Sequence, residues 1–415
     1  MVNRFSLWVP FWRGWLWSLL LGAWLLFPLP WVWAEGGRIV EYPMPEGVSA
    51  PQSMVLDKAG ALWFTEKVGK TLVRFNPEER RFTVYPLPGE WGDIGPSRLA
   101  LSPQGALWFT VRRWVESDSR INLLGRFIPD REQFSLHPLP DGMDPEDLVV
   151  DGQGRVWFTH TEANRLQRFD PLDASLKGYA MPTADAYPRG MAVDKDGGIW
   201  FAEANVNRIG YFNPAREQFQ EHELPTPFAN PGMVTVDREG RIWFVEMTAN
   251  KLGLFYPDLQ RFDEVQIPTH RGMPNAVETD SEGHVWVLEY HGNRVGRFSP
   301  HEASFQEYEI PTHGSLPGAL VVDSARGRVW LTESSTEAKK LAMIDMKQLP
   351  PVAGAAGSVA SGHDMMGHNV PLPAPAEPGE EQGPRTLTVW LASSLLVLLV
   401  LVALLRWWTK RRRRS

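Results

Sequence analysis

The sequence predicts an all-β protein, a closed seven-bladed β-propeller of four-stranded antiparallel blades. The first observation is a repeat: seven tryptophans lie in similar apolar segments, at intervals of 45, 49, 43, 43, 43 and 44 residues. The second is that each repeat divides into four short strand-like segments separated by Gly, Pro, Asn or Asp, without helical periodicity. A period of this length indicates stacked or radially arranged units rather than separate domains. The tryptophans are Trp63, Trp108, Trp157, Trp200, Trp243, Trp286 and Trp330.

The four strands of a repeat follow from their residues. Strand one is apolar and ends in Asp, as at Asp57, and a tight turn containing Gly60 follows, because Gly readily adopts positive φ. Strand two carries the Trp. Strand three is typified by residues 207–212, and a Pro/Asp turn leads to strand four, typified by residues 305–311. Together they predict one blade per repeat.

The order of the strands predicts how the ring closes. Residues 38–45 have the pattern of a fourth strand but precede the first Trp strand. The last repeat, around Trp330, has a third strand near residues 341–344 and no fourth. We therefore expect residues 38–45 to form the outer strand of the last blade, which removes an open sheet edge.

The two ends of the chain predict its location. Residues 1–34 have a basic start, an apolar run and a small-residue cleavage pattern, so they resemble a signal peptide, with an uncleaved anchor as the alternative. The propeller is expected over residues 35–348, followed by a disordered Pro/Ala/Gly-rich linker at 349–385. Residues 386–408 are predicted to form a transmembrane helix, and the basic tail 409–415 to lie in the cytoplasm. The propeller would then be anchored outside the cytoplasm, in the periplasm or at the cell surface.

Composition limits the partners. The chain has no cysteine, so disulfides and thiolate metal sites are excluded. Its net charge of −7 becomes about −15 without the basic residues of the leader and of the tail from Arg406. Such an acidic surface argues against nucleic acid as a partner of the repeats. A small molecule, a glycan or a protein on the outer face, with the membrane at the C-terminal helix, remain the expected partners.

The repeat resembles the streptogramin lyase (virginiamycin B lyase) family of seven-bladed propellers over roughly residues 35–346. The resemblance is carried by Val193-Asp194-x-x-Gly-x-Ile199-Trp200-Phe201-x-Glu203 and by Asn293-Arg294-Val295-Gly296-Arg297-Phe298. It implies an elimination that opens a cyclic depsipeptide, with a divalent metal such as Mg²⁺ and a His base. It also implies a His directly after the Pro of a strand one. The residues at those positions are Gln52, Ser97, Glu146, Arg189, Gly232, Asn275 and Gly318.

A site is expected on the face where strand one begins and strand two ends, close to the central channel. We expect each residue after the strand-one Pro to lie opposite the last residue of strand two, 14 residues later in six blades and 15 in the seventh. Five of these seven ring positions are Glu. They would either line a cation-binding channel or accept turn amides and pair with nearby cations such as Arg208, Lys251 and Arg294.

Blade six departs from the repeat in a way that suggests a metal or a base. Glu289 is followed closely by His291, and His270 and His313 occupy the loops on either side. Imidazole and carboxylate together suit a divalent metal, with Glu246 as a further ligand, or a general base at His291. The alternative is that Pro-Thr-His is a repeated turn.

Blades three and four supply a second set. His160 is expected to pair with Glu146, and Arg189 with Glu203, while Asn275 takes the same position in blade six. A His–carboxylate pair beside an Arg would hold a polar ligand, and His160 is a second candidate base. The alternative is a satisfied ion pair.

Two further segments carry candidate residues. An insertion in blade two places Arg112, Arg113 and Trp114 in a long loop over the same face, where they would either grip an anionic or aromatic group or have no function. In the linker, the run from residue 363 to 368 offers imidazole and thioether donors suited to copper, or is a chance cluster. Its candidate ligands are His363, Met365, Met366 and His368.

Three functions follow. The first is ligand or partner binding on the channel face without chemistry. The second is a metal-dependent carbon–oxygen lyase or lactone-opening enzyme of the streptogramin lyase type. The third is copper handling outside the cytoplasm through the linker.

Overall fold

The structure is a computed structural model that describes residues 39–66, 68, 70–113, 123–143 and 145–350, without the side chains of Arg112 and Arg113. The predicted leader, nearly all of the linker, the transmembrane segment and the basic tail lie outside these residues. Within the described part of the chain, no helix has the length and apolar character needed to cross a bilayer.

Seven four-stranded antiparallel sheets form the propeller, which confirms the predicted fold. The strands, in chain order, are β1 Ile39–Pro43; β2 Pro51–Leu56, β3 Leu62–Glu66, β4 Thr71–Asn76, β5 Arg81–Pro86; β6 Ile94–Leu101, β7 Leu107–Arg113, β8 Leu123–Ile128, β9 Gln133–Pro138; β10 Leu148–Val150, β11 Val156–His160, β12 Arg165–Asp170, β13 Ser175–Ala180; β14 Pro188–Val193, β15 Ile199–Glu203, β16 Arg208–Asn213, β17 Gln218–Glu223; β18 Pro231–Val236, β19 Ile242–Glu246, β20 Lys251–Tyr256, β21 Arg261–Gln266; β22 Pro274–Thr279, β23 Val285–Glu289, β24 Arg294–Ser299, β25 Ser304–Glu309; β26 Pro317–Asp323, β27 Arg328–Glu333 and β28 Lys340–Asp345. Short 3-10 helices cover Gly89–Trp91, Pro129–Arg131 and Met346–Gln348.

The ring closes as the strand order predicts. β1 pairs antiparallel with β28, so the first described strand is the outer strand of blade seven. Tyr42 packs against the blade-seven Trp330, with ring centroids 5.6 Å apart. The closure therefore combines backbone pairing with burial of aromatic surface.

The repeated Asp and Trp form one structural unit in each of five blades. In blade four, Asp194 accepts hydrogen bonds from the amides of Asp196 and Gly198 and from Trp200 Nε1, the last at 3.1 Å. Gly197, at φ +83°, makes the turn that brings these donors together. The bonds satisfy the buried indole N–H while its ring fills the space between blades, which explains why Asp and Trp recur at fixed spacing.

The predicted pairing register is wrong by one residue. The last residue of strand two lies opposite the strand-one Pro, as Glu203 does opposite Pro188, and Arg189 lies opposite Ala202. A bulge follows, because Gly190 is an extra residue before Met191 pairs with Phe201. Only Gly fits there: it has φ +56°, and a Cβ would lie 2.3 Å from the Gly232 carbonyl oxygen.

Candidate functional site

A cavity of about 740 Å³ lies between blades five and six on the face where strand two ends. Its walls come from the loops before β18 and β22 and the turns after β19 and β23, so four separate segments build it. The side chains that matter most are Asn230, Met247, His270, Arg271, Met273 and His291. Its size is in the range of small-molecule sites.

The structure brings together two of the three blade-six histidines. His270 and His291 both line this cavity and are exposed, whereas His313 does not line it. The His291 amide donates to the Gly272 carbonyl oxygen at 2.9 Å, and its ring packs against Tyr290 with centroids 5.2 Å apart. Neither imidazole forms a hydrogen bond with another described residue.

Arg189 does not pair with Glu203, contrary to the expectation. Its guanidinium crosses to blade five, where Nη2 donates to Asn230 Oδ1 at 2.6 Å and lies 3.3 Å from Met247 Sδ. Nε donates to the Pro231 carbonyl oxygen at 3.2 Å. The bulge at Gly190 causes this change of direction. Burial lowers the pKa of Arg189, and its two side-chain partners line the cavity, so it supports that wall from behind.

In blade three, the predicted pairing of the His160 and Glu146 side chains stays a prediction, and the backbone around them is described. The Glu146 amide donates to the Thr159 carbonyl oxygen at 2.9 Å, so its backbone partner is Thr159 rather than His160. His160 is 7% exposed. Beside it, Asp147 is buried 4.0 Å from Arg98 Nε, and burial raises the pKa of Asp147 although Arg98 opposes the rise. Arg98 was not predicted from the sequence, because the predicted site positions were those directly after a strand-one Pro, and that position in blade two is Ser97.

Asn275 is a link between blades. Its Nδ2 donates to the Pro317 carbonyl oxygen of blade seven at 2.9 Å, as Arg189 does to Pro231 of blade five. Both residues follow a strand-one Pro. This position therefore ties one blade to the next in blades four and six.

The ring glutamates are buried, and the first of them has a structural role. Glu66 is 0% exposed and its Oε1 accepts hydrogen bonds from the Ser49, Ala50 and Val68 amides at 3.3, 3.1 and 2.9 Å. It holds the loop that enters blade one. This supports the turn-binding alternative at this position over a carboxylate lining an open channel.

The ring glutamates of blades four to seven each lie beside a second Glu from the outer strand. The pairs are Glu203 with Glu221, Glu246 with Glu264, Glu289 with Glu307 and Glu333 with Glu41. The outer member holds the cation: Glu221 Oε2 lies 2.9 Å from Arg208 Nη1 and accepts from Thr183 Oγ1 at 2.6 Å. Arg208, Lys251 and Arg294 thus pair with outer glutamates rather than with the ring.

Burial favours the protonated form of the inner carboxyls. It raises the pKa of Glu203 and Glu246 to about 8 and of Glu289 and Glu333 to about 7, and the neighbouring carboxylate adds to each rise. No donor among the described residues reaches either oxygen of Glu203 or Glu246. A protonated Glu203 resolves this, because its O–H can be donated to the Glu221 carboxylate.

A sequence model of the virginiamycin B lyase family matches residues 37–344. The chain belongs to the virginiamycin B lyase family. Among solved structures, it is similar to selenomethionine-substituted virginiamycin B lyase from Staphylococcus aureus, at 24% identity and TM-score 0.65 over 74% of this chain and 99% of that one. A catalytically inactive variant of that lyase with quinupristin matches at 23% identity and TM-score 0.66 over 74% and 99%.

Other solved structures are similar at lower sequence identity. YCF48 bound to a D1 peptide matches at 11% identity and TM-score 0.58, over 74% of this chain and 97% of that one. Among the curated proteins, none matches. At these identities the structural matches show the shared propeller and leave the activity of this chain open.

The side chains predicted to hold a divalent metal are divided between the protein interior and the cavity. Mg²⁺ takes oxygen ligands in a near-octahedral set. Glu246 and Glu289 are 0% exposed, whereas His270 and His291 face the cavity. Over the described residues, no group of three His, Asp or Glu side chains is arranged to hold an ion. The predicted metal set therefore stays a prediction.

The remaining predicted side chains lie outside the part of the chain that the structure describes. Trp114 and the copper-type motif at residues 363–368 are among the residues that the structure does not describe, as are the side chains of Arg112 and Arg113. Arg271, Asn230 and Met247 were missed from the sequence. Aligning the inter-blade loops would have shown Arg271 directly after His270 in the loop that this virginiamycin B lyase family member uses to build the cavity.

Proposed function

We propose that this protein is a membrane-anchored propeller outside the cytoplasm that binds a small molecule in the cavity between blades five and six. The single observation that carries the proposal is that four loop segments converge there on His270 and His291. Neither imidazole has a hydrogen-bond partner among the described residues, so a ligand could supply one.

Binding without chemistry is favoured by what surrounds the imidazoles. A general base is usually oriented by a third group, such as a carboxylate hydrogen-bonded to its second nitrogen. Within the described residues neither His270 nor His291 has such a partner, and the nearby Glu289 is buried. Two imidazoles and a guanidinium beside apolar Met247 and Met273 suit recognition of a mixed polar and apolar molecule.

Location is supported by the sequence alone. Residues 1–34 and 386–408 have the pattern of a leader and a membrane span, with basic residues following the latter. Protease added to spheroplasts, which exposes both periplasmic and surface domains, should remove the propeller and leave the tail 409–415 protected. Protection of the propeller under those conditions would refute this location.

The cavity is tested by filling it. Thr248 is an exposed lining residue whose side chain makes no hydrogen bond with another described residue, so Thr248→Trp should fill the cavity without disturbing the fold. A ligand-observed NMR screen of small organic molecules on the full-length chain should give binders that Thr248→Trp abolishes. Ala215→Trp, on an exposed outer turn, is the matched control. Binders that bind the Thr248 variant unchanged would place the site elsewhere.

The alternative is a metal-dependent lyase or lactone-opening enzyme, which family membership favours. It requires a divalent ion held by Glu289, His291 and their neighbours. Mass spectrometry should then find one bound ion in the wild type that is lost in the Glu289→Gln/His291→Ala variant. Absence of a bound ion from both would refute the alternative.

A copper-handling function rests on the sequence of residues 363–368 alone. Deleting these residues should abolish copper binding by the full-length chain. Undiminished copper binding after the deletion would remove this function.

A further inference from the structure

The cavity between blades five and six has an unusual charge for this protein. Among the described residues, its lining includes Arg271, His270 and His291 but no Asp or Glu. The chain between the leader and the basic tail carries about −15. The described lining of the cavity therefore differs from the acidic molecule around it, because it carries basic side chains and no carboxylate.

Arg271 is free to bind a ligand. Its side chain is exposed, and it forms neither an ion pair nor a hydrogen bond with any other described residue. Arg208 and Arg294, on the strands of neighbouring blades, instead pair with Glu221 and Glu307 at 2.9 and 3.1 Å. An unpaired guanidinium presents a planar set of donors that matches a carboxylate or a similar acid group in two-point contact.

The nearest ring carboxyl does not neutralise this charge at the cavity surface. Glu289 is 0% exposed and lies under the backbone of the cavity loop: a Cβ built on Gly272 or on Gly292 would come 2.6 Å from its Oε2. The two glycines let the backbone close over this carboxyl. The basic side chains at the cavity surface are Arg271 and the two histidines, His270 and His291.

Part of the remaining wall is apolar. Met247, Ile267 and Met273 line the same cavity, and flexible thioether side chains adapt to apolar shapes. A ligand that uses both parts of the site would carry an apolar body and one acidic group.

We propose that the cavity binds a small organic anion, with its acidic group on Arg271 and its apolar body against Met247 and Met273. This inference rests on the proposed function and names the chemical class of its ligand. It also separates the site from a divalent cation site, because Arg271 would repel the ion.

The experiment uses two probes that differ only in charge. 1-Naphthaleneacetate and its neutral amide, 1-naphthaleneacetamide, are titrated by ligand-observed NMR into the full-length chain in a non-ionic detergent, with detergent alone as blank. The wild type should bind the acid about tenfold more tightly than the amide, as expected for a charge-assisted contact. Arg271→Gln should remove that difference and leave amide binding unchanged. Arg216→Gln, an exposed arginine on an outer turn, is the matched control and should change neither.

The outcomes separate the two proposals. If Thr248→Trp blocks both probes but acid and amide bind the wild type equally, the cavity binds ligands and the anion inference is overturned. An acid preference that survives Arg271→Gln also overturns it. If Thr248→Trp leaves binding of both probes unchanged, or neither probe binds, the cavity proposal fails as well. Matching thermal midpoints of the variants show that each is folded.

Discussion

Replacing Glu203 by Gln should make the protein more stable at alkaline pH and change its stability little at pH 5. Burial beside Glu221 raises the pKa of Glu203 from its ordinary value of 4.5 to about 8. Between these two values the folded protein holds a proton that the unfolded chain releases, so the stability of the wild type falls as pH rises through this window. Gln does not titrate, and its amide N–H can donate to Glu221 in place of the carboxyl proton.

The size of the effect follows from the shift. At about 1.4 kcal/mol per pKa unit, a rise from 4.5 to about 8 corresponds to at most about 5 kcal/mol. Urea unfolding of both full-length proteins, followed by tryptophan fluorescence at pH 5, 6.5 and 8.5, measures the difference. The free energy of unfolding of Glu203→Gln relative to wild type should increase by a few kcal/mol across this range. The other ring carboxyls are common to both proteins and cancel.

The same exchange at Glu66 is the matched control. Its Oε1 accepts hydrogen bonds from the backbone amides of Ser49, Ala50 and Val68. A Gln side chain would place there either an NH₂ group, which cannot accept these bonds, or a neutral oxygen, which accepts them more weakly. Glu66→Gln should therefore destabilise the protein at neutral pH. A stability difference for Glu203→Gln that is flat from pH 5 to 8.5 would show that Glu203 is ionised in the folded protein and refute the reasoning.

Three further predictions test the fold. Asp237→Ala should cost about 2–4 kcal/mol in urea unfolding, because it leaves the indole N–H of Trp243, 1% exposed, without its acceptor; a loss below 0.5 kcal/mol would contradict this. Gly253→Ala should destabilise by about 1–3 kcal/mol, since the new Cβ would lie 2.2 Å from Phe244 ring carbons, and an unchanged midpoint would show that the ring moves freely. Deleting Ile39–Pro43 should expose the edge of β28 and cause aggregation in light scattering, and a monodisperse deletion variant would show that strand closure is dispensable.

Local sequence pattern predicted much of the fold because the blade is a local unit. Each Asp–Gly–Trp hairpin contains its own donors, acceptors and turn glycine, as Asp194, Gly197 and Trp200 show. The apolar Trp segment, repeated seven times, could be counted, and residues 38–45, which lack their own Trp strand, indicated the closing strand. Of the three histidines that the loop positions placed on one face, His270 and His291 line the same cavity.

The site could not be predicted to the same depth, because side-chain direction depends on bulges and on the neighbouring blade. The extra residue at Gly190 moves Arg189 out of register with Glu203 and sends its guanidinium to Asn230. His313 has the same local Pro-Thr-His sequence as His270 but lies outside the cavity. The Pro-Thr-His motif by itself does not distinguish these two histidines.

The sequence by itself determined the architecture: seven blades, the strand order within each, and closure by the N-terminal strand. These features follow from turn chemistry and alternating burial, which act over a few residues. Only the tertiary structure decided that the ring glutamates are interior and that Arg271 shares a carboxylate-free cavity with two histidines. Burial and charge at those places depend on residues from more than one segment of the chain, so they are set only once the ring has closed.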